Sequence, residues 1–228
     1  MSDLAPLEAL REECLACERC GLAKTRTKVV FGDGNPQAPL VIVSEGPGEN
    51  EDKQGIPFVG RAGKLLDRVL LENALSRRWV YICNTVKCRP TRVENGRVYN
   101  RAPGGDEMEA CRSWLDRQLQ IIRPVVILCL GGPAANSIIH RDFKITQERG
   151  QWFTDSPYAP WVMATWHPAY VLRKAGDGFE QHRGQLVGDI DQCRKKVIEL
   201  RQQGGLLNRQ APQAEASSEA HPELFGGS

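Results

Sequence analysis

Four short runs of apolar residues punctuate the chain, at 39–44 (PLVIVS), 79–83 (WVYIC), 125–130 (VVILCL) and 161–165 (WVMAT). Each has the length of a strand, and each is apolar on consecutive positions rather than on alternate ones. That pattern marks strands buried on both faces. Between them, apolar residues recur at helical spacing over 64–75, 108–122 and 184–202, and Gly131-Gly132-Pro133 opens a further helix through about Ile139. Residues 7–26 read as a polar, basic helix and turn, and residues 90–106 as a long polar loop. Strands that alternate with helices predict an α/β fold in three α/β/α layers around a central, mostly parallel, four-stranded sheet. One domain over residues 1–202 is expected, followed by a tail over 203–228 whose Gln, Ala, Ser, Gly and Pro composition suits disorder.

In such sheets the ligand sits beyond the carboxyl ends of the strands. That rule gathers chemistry-bearing residues in one place. The first strand is followed by SEGPGENEDKQGIPFVGRAG (44–63), the second by Asn84, the third by Gly131-Gly132 and the fourth by His167-Pro168. Gly46-Pro47-Gly48 is a poor dinucleotide fingerprint, because Glu51 falls where the third glycine belongs and Pro47 removes an amide donor. The loop's carboxylates, Glu45, Glu49, Glu51 and Asp52, would repel phosphate. They suit a reaction that develops positive charge, such as glycosidic cleavage through an oxocarbenium-like state. Asn84 offers the donor and acceptor needed to read a base edge, His167 can donate to a developing oxyanion, and Phe58 can stack on a base or anchor its loop.

Net charge is mild, +2 over the 228 residues. The three glutamates and one arginine of the tail leave about +4 on the body, compatible with a polyanionic partner. No stretch approaches a membrane span and the N-terminus lacks the features of a signal peptide, so the cytoplasm is expected. There, disulfides are rare, and the clustered members of the eight cysteines suggest metal. Cys17, Cys20, Cys88 and Cys111 make a four-thiolate set that suits zinc or an iron-sulfur cluster, with Cys14 an equally well-spaced competitor of the first pair. Cys83, Cys129 and Cys193 fall in apolar runs and read as small core residues.

Five ordered segments turn these signs into a resemblance: Gly32-Asp-Gly-Asn35, the 44–63 loop, Tyr81 to Pro90 (YICNTVKCRP), Ile145 to Gly150 (ITQERG) and His167 to Arg173 (HPAYVLR). Together they resemble the iron-sulfur uracil-DNA glycosylases of family four, over about residues 17–200. The resemblance implies a monomeric DNA repair enzyme that releases uracil from single- or double-stranded DNA. It implies a [4Fe-4S] cluster on Cys17, Cys20, Cys88 and Cys111, with Cys14 surplus. It places Glu45 and Gly46 in the catalytic loop, Phe58 stacked on uracil, Asn84 on its polar edge, His167 donating to the departing uracil anion, and Glu51 beside C5, where it excludes the methyl of thymine. Arg61, Lys64 and Arg173 would meet phosphates, and Tyr170, Val171 and Leu172 could wedge into the gap left by a flipped base.

Two positions depart from the family. Ser44 stands where glycine is common, and 22 residues separate Cys88 from Cys111. A related subgroup carries, in a loop of that length, a histidine that bonds covalently to the sugar. Here Asn100, a poor nucleophile, takes its place, and Gly46 stands where that subgroup tends to have glutamine. Turnover is therefore expected ahead of cross-linking or of a non-catalytic iron-sulfur protein. The segment His221-Pro-Glu-Leu-Phe225 weakly resembles a sliding-clamp peptide.

Overall fold

The computed structural model describes residues 4–204. The expected tail beyond Gly204, and with it the clamp-like segment at 221–225, lies outside the described residues. Helix α1 (Ala5–Leu15) buries Leu7, Leu10 and Cys14, which repeat along one face. A single 3-10 turn (Gly21–Lys24) and a two-residue strand β1 (Asp33–Gly34) lead to β2 (Leu40–Ser44). Next come α2 (Glu49–Gln54), α3 (Arg61–Glu72), β3 (Val80–Asn84), the strands β4 (Thr91–Glu94) and β5 (Arg97–Asn100), and α4 (Gly105–Ile122). The remainder comprises β6 (Val126–Leu130), α5 (Gly132–Ile138), α6 (Ile145–Glu148), β7 (Trp161–Thr165), α7 (Pro168–Val171) and α8 (Asp177–Gln202).

The four apolar runs form the heart of one sheet in the order β1-β3-β2-β6-β7. β3, β2, β6 and β7 are parallel, and every residue in them but Trp161 is buried. The two sheet faces carry separate cores. Val41, Val43, Tyr81, Cys83 and Ile127 pack beneath α1, α4 and α5 through Leu10, Trp114, Leu115 and Ala135. Leu40, Ile42, Val80, Ile82 and Leu128 pack on the opposite face against Leu66, Val69 and Leu70 of α3 and Leu186 and Ile190 of α8. This is the three-layer arrangement expected, since a strand apolar on both faces needs a helix on each.

The sheet has five strands rather than four. The addition is β1, which pairs antiparallel with β3 through Asp33 and Ile82 and through Gly34 and Tyr81. Two residues leave no hydrophobic pattern to read. At the opposite edge, Phe153 makes one antiparallel bridge to Val162 of β7. The polar stretch after Cys88 is not a loop but a β4–β5 hairpin, turned at Asn95 and Gly96, both with positive φ (51° and 74°). That geometry is the hairpin turn that Asn-Gly favours. The first helix ends at Leu15, short of the sequence boundary, while α8 starts at Asp177, ahead of it.

Candidate active site

The parallel strands β3, β2, β6 and β7 run in that order across the sheet, and the connections beyond the tips of β2, β3 and β7 surround a cleft of about 400 Å³, within the range of small-ligand sites. Glu45, Gly46, Glu51, Phe58, Asn84 and His167 all line it, although they lie far apart in the chain. Arg61 stands at its edge. Lys64, on the exposed side of α3, and Arg173, beyond α7, are solvent-facing and lie outside the lining.

His167 occupies the N-cap of α7, where its Nδ1 accepts a hydrogen bond from the amide of Ala169 at 3.0 Å. With Nδ1 an acceptor, the neutral ring carries its proton on Nε2 and is a donor there. Burial, reinforced by the nearby charge of Arg173, lowers the His167 pKa from 6.5 to about 4. The strand end beneath it is braced. Thr165 donates to Asp189, which also pairs with Arg149 at 2.5 Å, and Trp166 Nε1 donates to Gln185 at 2.6 Å. Gly131, with φ of 90°, lies so close that a β-carbon there would sit 3.3 Å from His167 Cβ.

The four loop acids separate into distinct environments. Asp52 is buried and accepts from the Thr27 amide at 2.9 Å, which ties α2 to the N-terminal segment. Glu49 is exposed and pairs with Lys53 and Arg89. Glu51 accepts from the amides of Val59 and Gly60 at 2.9 and 2.8 Å, so one oxygen fastens the next loop while the side chain still borders the cleft. Glu45 is half-buried, and burial raises its pKa above the usual carboxylate value.

Phe58 is held in the left-handed region (φ 56°), a conformation that costs a bulky residue about 1 to 2 kcal/mol. Two features hold it there. Arg77 donates to the carbonyls of Pro57 and Phe58 at 2.9 and 2.5 Å while pairing with Asp67 and Asp33. Gly63 of α3 packs under the Phe58 carbonyl, where any β-carbon would lie 1.8 Å from that oxygen. The Phe58 ring is only 6 % exposed and faces His167 with centroids 5.7 Å apart and planes at 30°. It is thus both an anchor of the loop and part of the cleft wall.

On the opposite side of β3, Cys14, Cys17, Cys20, Cys88 and Cys111 border a second cavity between α1 and α4. N–H donors address three of the sulfurs: Trp114 Nε1 to Cys17 at 3.3 Å, the Lys87 amide to Cys111 at 3.2 Å and Arg26 to Cys88 at 3.6 Å. Burial pushes the Cys17 thiol up, but hydrogen bonds from Arg19 and Trp114 outweigh it and bring it below the usual value. Burial pushes Cys14 up to about 12, and it is 1 % exposed. Cys83, Cys129 and Cys193 are wholly buried in the cores, as the sequence suggested. Among the described residues no three His, Cys, Asp or Glu side chains converge on a single-ion position. Thiolate donors around one cavity, three of them met by N–H groups, are a donor set that an iron-sulfur group can use.

Asn100, singled out in the sequence, lines the cleft at the base of the hairpin and accepts from Arg89 at 2.7 Å. Other participants were not foreseen: Arg101 and Pro103 form part of the same wall. Arg77, Asp189 and Gln118 act behind the lining, and nothing in their sequence neighbourhoods sets them apart; Lys87 acts there too, inside the 81–90 segment but not marked within it. One expectation fails: Val171 is 0 % exposed within the core and cannot wedge into DNA. Tyr170 lies stacked on Trp166 with centroids 5.0 Å apart, and Leu172 is partly buried against the same core.

Residues 31–191 match the family model described as the uracil DNA glycosylase superfamily. The chain is 43 % identical over 195 residues to the type-4 uracil-DNA glycosylase of Thermotoga maritima, covering 84 % of this chain and 94 % of that protein. It is 41 % identical over 179 residues to the enzyme of that name from Sulfurisphaera tokodaii, covering 73 % and 76 %. With the Archaeoglobus fulgidus enzyme of that name it shares 40 % identity over 200 residues, 85 % of this chain and 92 % of the relative. The cleft at the strand tips, the cysteine-lined cavity and these matches converge: the chain belongs to the uracil-DNA glycosylase superfamily.

Proposed function

We propose that the protein is a monofunctional uracil-DNA glycosylase that initiates base excision repair. The observation that carries this reading is the grouping, in one cleft, of a neutral His167 with Nε2–H as donor, the Asn84 amide and the Phe58 ring. A deoxyuridine flipped out of the stack enters between them. Asn84 pairs with the donor and acceptor on the uracil edge, a pattern that cytosine reverses. As the N-glycosidic bond breaks, its electron pair leaves with the base, and His167 donates a hydrogen bond to the carbonyl oxygen on which that charge collects. Glu45 lines the same cleft, and its carboxylate would stabilise the cationic sugar and align water for attack on C1′, leaving an abasic site. Glu51 borders the same cleft, which suits a role beside C5. Arg61, which lines the cleft, and the exposed Lys64 and Arg173 would meet backbone phosphates.

Cys17, Cys20, Cys88 and Cys111 would hold the [4Fe-4S] cluster, with the more deeply buried Cys14 as a neighbour. Bound there, the cluster cross-links the N-terminal segment, the segment after β3 and α4. Among the described residues no helix is long and apolar enough to cross a membrane, and the eight cysteines are unpaired. We place the enzyme in the cytoplasm, acting as a monomer. Turnover is favoured over covalent capture of the sugar, because Asn100 lines the cleft with its oxygen already engaged by Arg89.

The test is incubation of the brown, cluster-loaded protein with uracil-containing single- and double-stranded oligonucleotides. Free uracil, alkali-labile sites and no protein-DNA species after denaturation are expected. A denaturation-resistant adduct would establish cross-linking, and absence of both products would refute the reading.

A further inference from the structure

Lys87 is the largest of the fully buried side chains, 1 % exposed, in a position where an ammonium group is costly. Its Nζ donates to the main-chain carbonyl of Asn84 at 2.8 Å and to Gln118 Oε1 at 2.6 Å. Gln118 in turn donates to the Phe31 carbonyl at 3.1 Å and to the Tyr81 hydroxyl at 2.8 Å, so its orientation is fixed. The backbone of the same lysine is held twice, through its amide to Cys111 Sγ at 3.2 Å and its carbonyl to the Val30 amide at 2.8 Å. Lys87 therefore touches the cysteine cavity with its main chain and the tip of β3 with its head.

The neighbouring residues continue the pattern. Thr85 donates from its amide to the Ser44 carbonyl at 2.7 Å and from its hydroxyl to the Glu45 carbonyl at 2.6 Å. The Val86 amide reaches Glu45 as well, at 3.1 Å. The stretch 84–88 is thus a bracket that starts at Asn84, grips the Glu45 loop and ends on Cys88.

We infer that Lys87 is a positioning residue: by pinning the Asn84 carbonyl it fixes the direction of the Asn84 amide and holds the base cleft in register with the cysteine cavity. This rests on the proposed uracil excision, but it has a readout that does not. A residue that only stabilised the fold would lower the melting temperature and leave a folded enzyme with normal kinetics.

The experiment uses Lys87→Met in the full, cluster-loaded chain, which keeps the unbranched stem, one atom shorter, and removes its donors. Expected are unchanged visible absorption per chain, amide hydrogen exchange at Thr85 and Val86 at least tenfold faster, and a single-turnover rate roughly 10- to 100-fold lower. In an Asn84→Ala background, Lys87→Met should then cost less than twofold, because a residue acting through Asn84 has nothing left to position. Gln118→Met, which spares the bond to Asn84, should lose less than fivefold. If Lys87→Met does not fold, Lys87→Arg carries the same comparison, with its altered reach to the Asn84 carbonyl. Unchanged exchange at Thr85 and Val86, or an undiminished loss in the Asn84→Ala background, would overturn the assignment. Faster exchange in a protein whose wild type releases no uracil would refute the proposed reaction and uphold the pin.

Discussion

Replacing His167 with alanine tests the centre of the proposed chemistry. The ring's Nδ1 is taken by the Ala169 amide, so Nε2–H is its free donor. Removing one preorganised donor to a developing anion costs about 2.7 to 4 kcal/mol, or about 10²- to 10³-fold in rate. The Ala169 amide also loses its partner, which costs roughly 1 to 3 kcal/mol of stability. Rates are therefore to be read as single-turnover uracil release at 25 °C, below the lowered melting point. The pH dependence gives an independent check. A pKa lowered from 6.5 to about 4 leaves about 1 % of the ring charged at pH 6, against about three-quarters for an ordinary histidine. Since the native state disfavours the proton, stability is full above about pH 6.5 and falls as the pH drops towards 4, by about 3 kcal/mol in total. His167→Ala should remove that part of the stability slope and keep the acid limb in the rate set by Glu45, whose pKa burial raises. A rate loss under fivefold, or a wild-type rate that declines as pH rises through 6.5, would refute a neutral donor.

Arg77→Ala strips the Pro57 and Phe58 carbonyls of their donor and leaves Asp67 and Asp33 without their common partner. We expect a loss of about 3 kcal/mol in urea unfolding and weaker base binding, with the visible absorption intact. Cys88→Ala and Cys111→Ala should bleach the protein and lower its melting temperature, whereas Cys14→Ala should stay brown, a contrast that visible spectroscopy and iron analysis decide. Alanine at Arg61, Lys64 or Arg173 should weaken binding to all DNA sequences alike. Each cation taken away from a phosphate lowers the slope of log affinity against log salt by about 1 in fluorescence anisotropy titrations.

The parallel core was legible because four strands buried on both faces have to be apolar at every position. The rule that ligands gather at strand tips brings the 44–63 loop, Asn84 and His167 together, and the family resemblance singles out Glu45 within that loop. What escaped the sequence has physical reasons. β4 and β5 are solvent-exposed except for part of Thr91, so no alternation marks them, and only Asn95-Gly96 betrays the turn. The acidic loop hid α2, whose one local clue is Gly55, left-handed at its end with φ of 78°. Four carboxylates there looked equivalent because their roles depend on partners elsewhere, Thr27 for Asp52 and Arg89 for Glu49. Lys87 and Arg77 acquire their roles only when Gln118 and the Pro57-Phe58 turn, distant in sequence, are brought against them.

The sheet's borders have a consequence for how the protein fails. A long bare strand invites another chain to pair with it, but here one border is covered by the two residues at Asp33 and Gly34 and the other is stitched by Phe153. Without the proposed cluster, the molecule should loosen first between α1 and α4, which border the cysteine cavity. Association into β-rich aggregates would have to wait until the central layer itself opens.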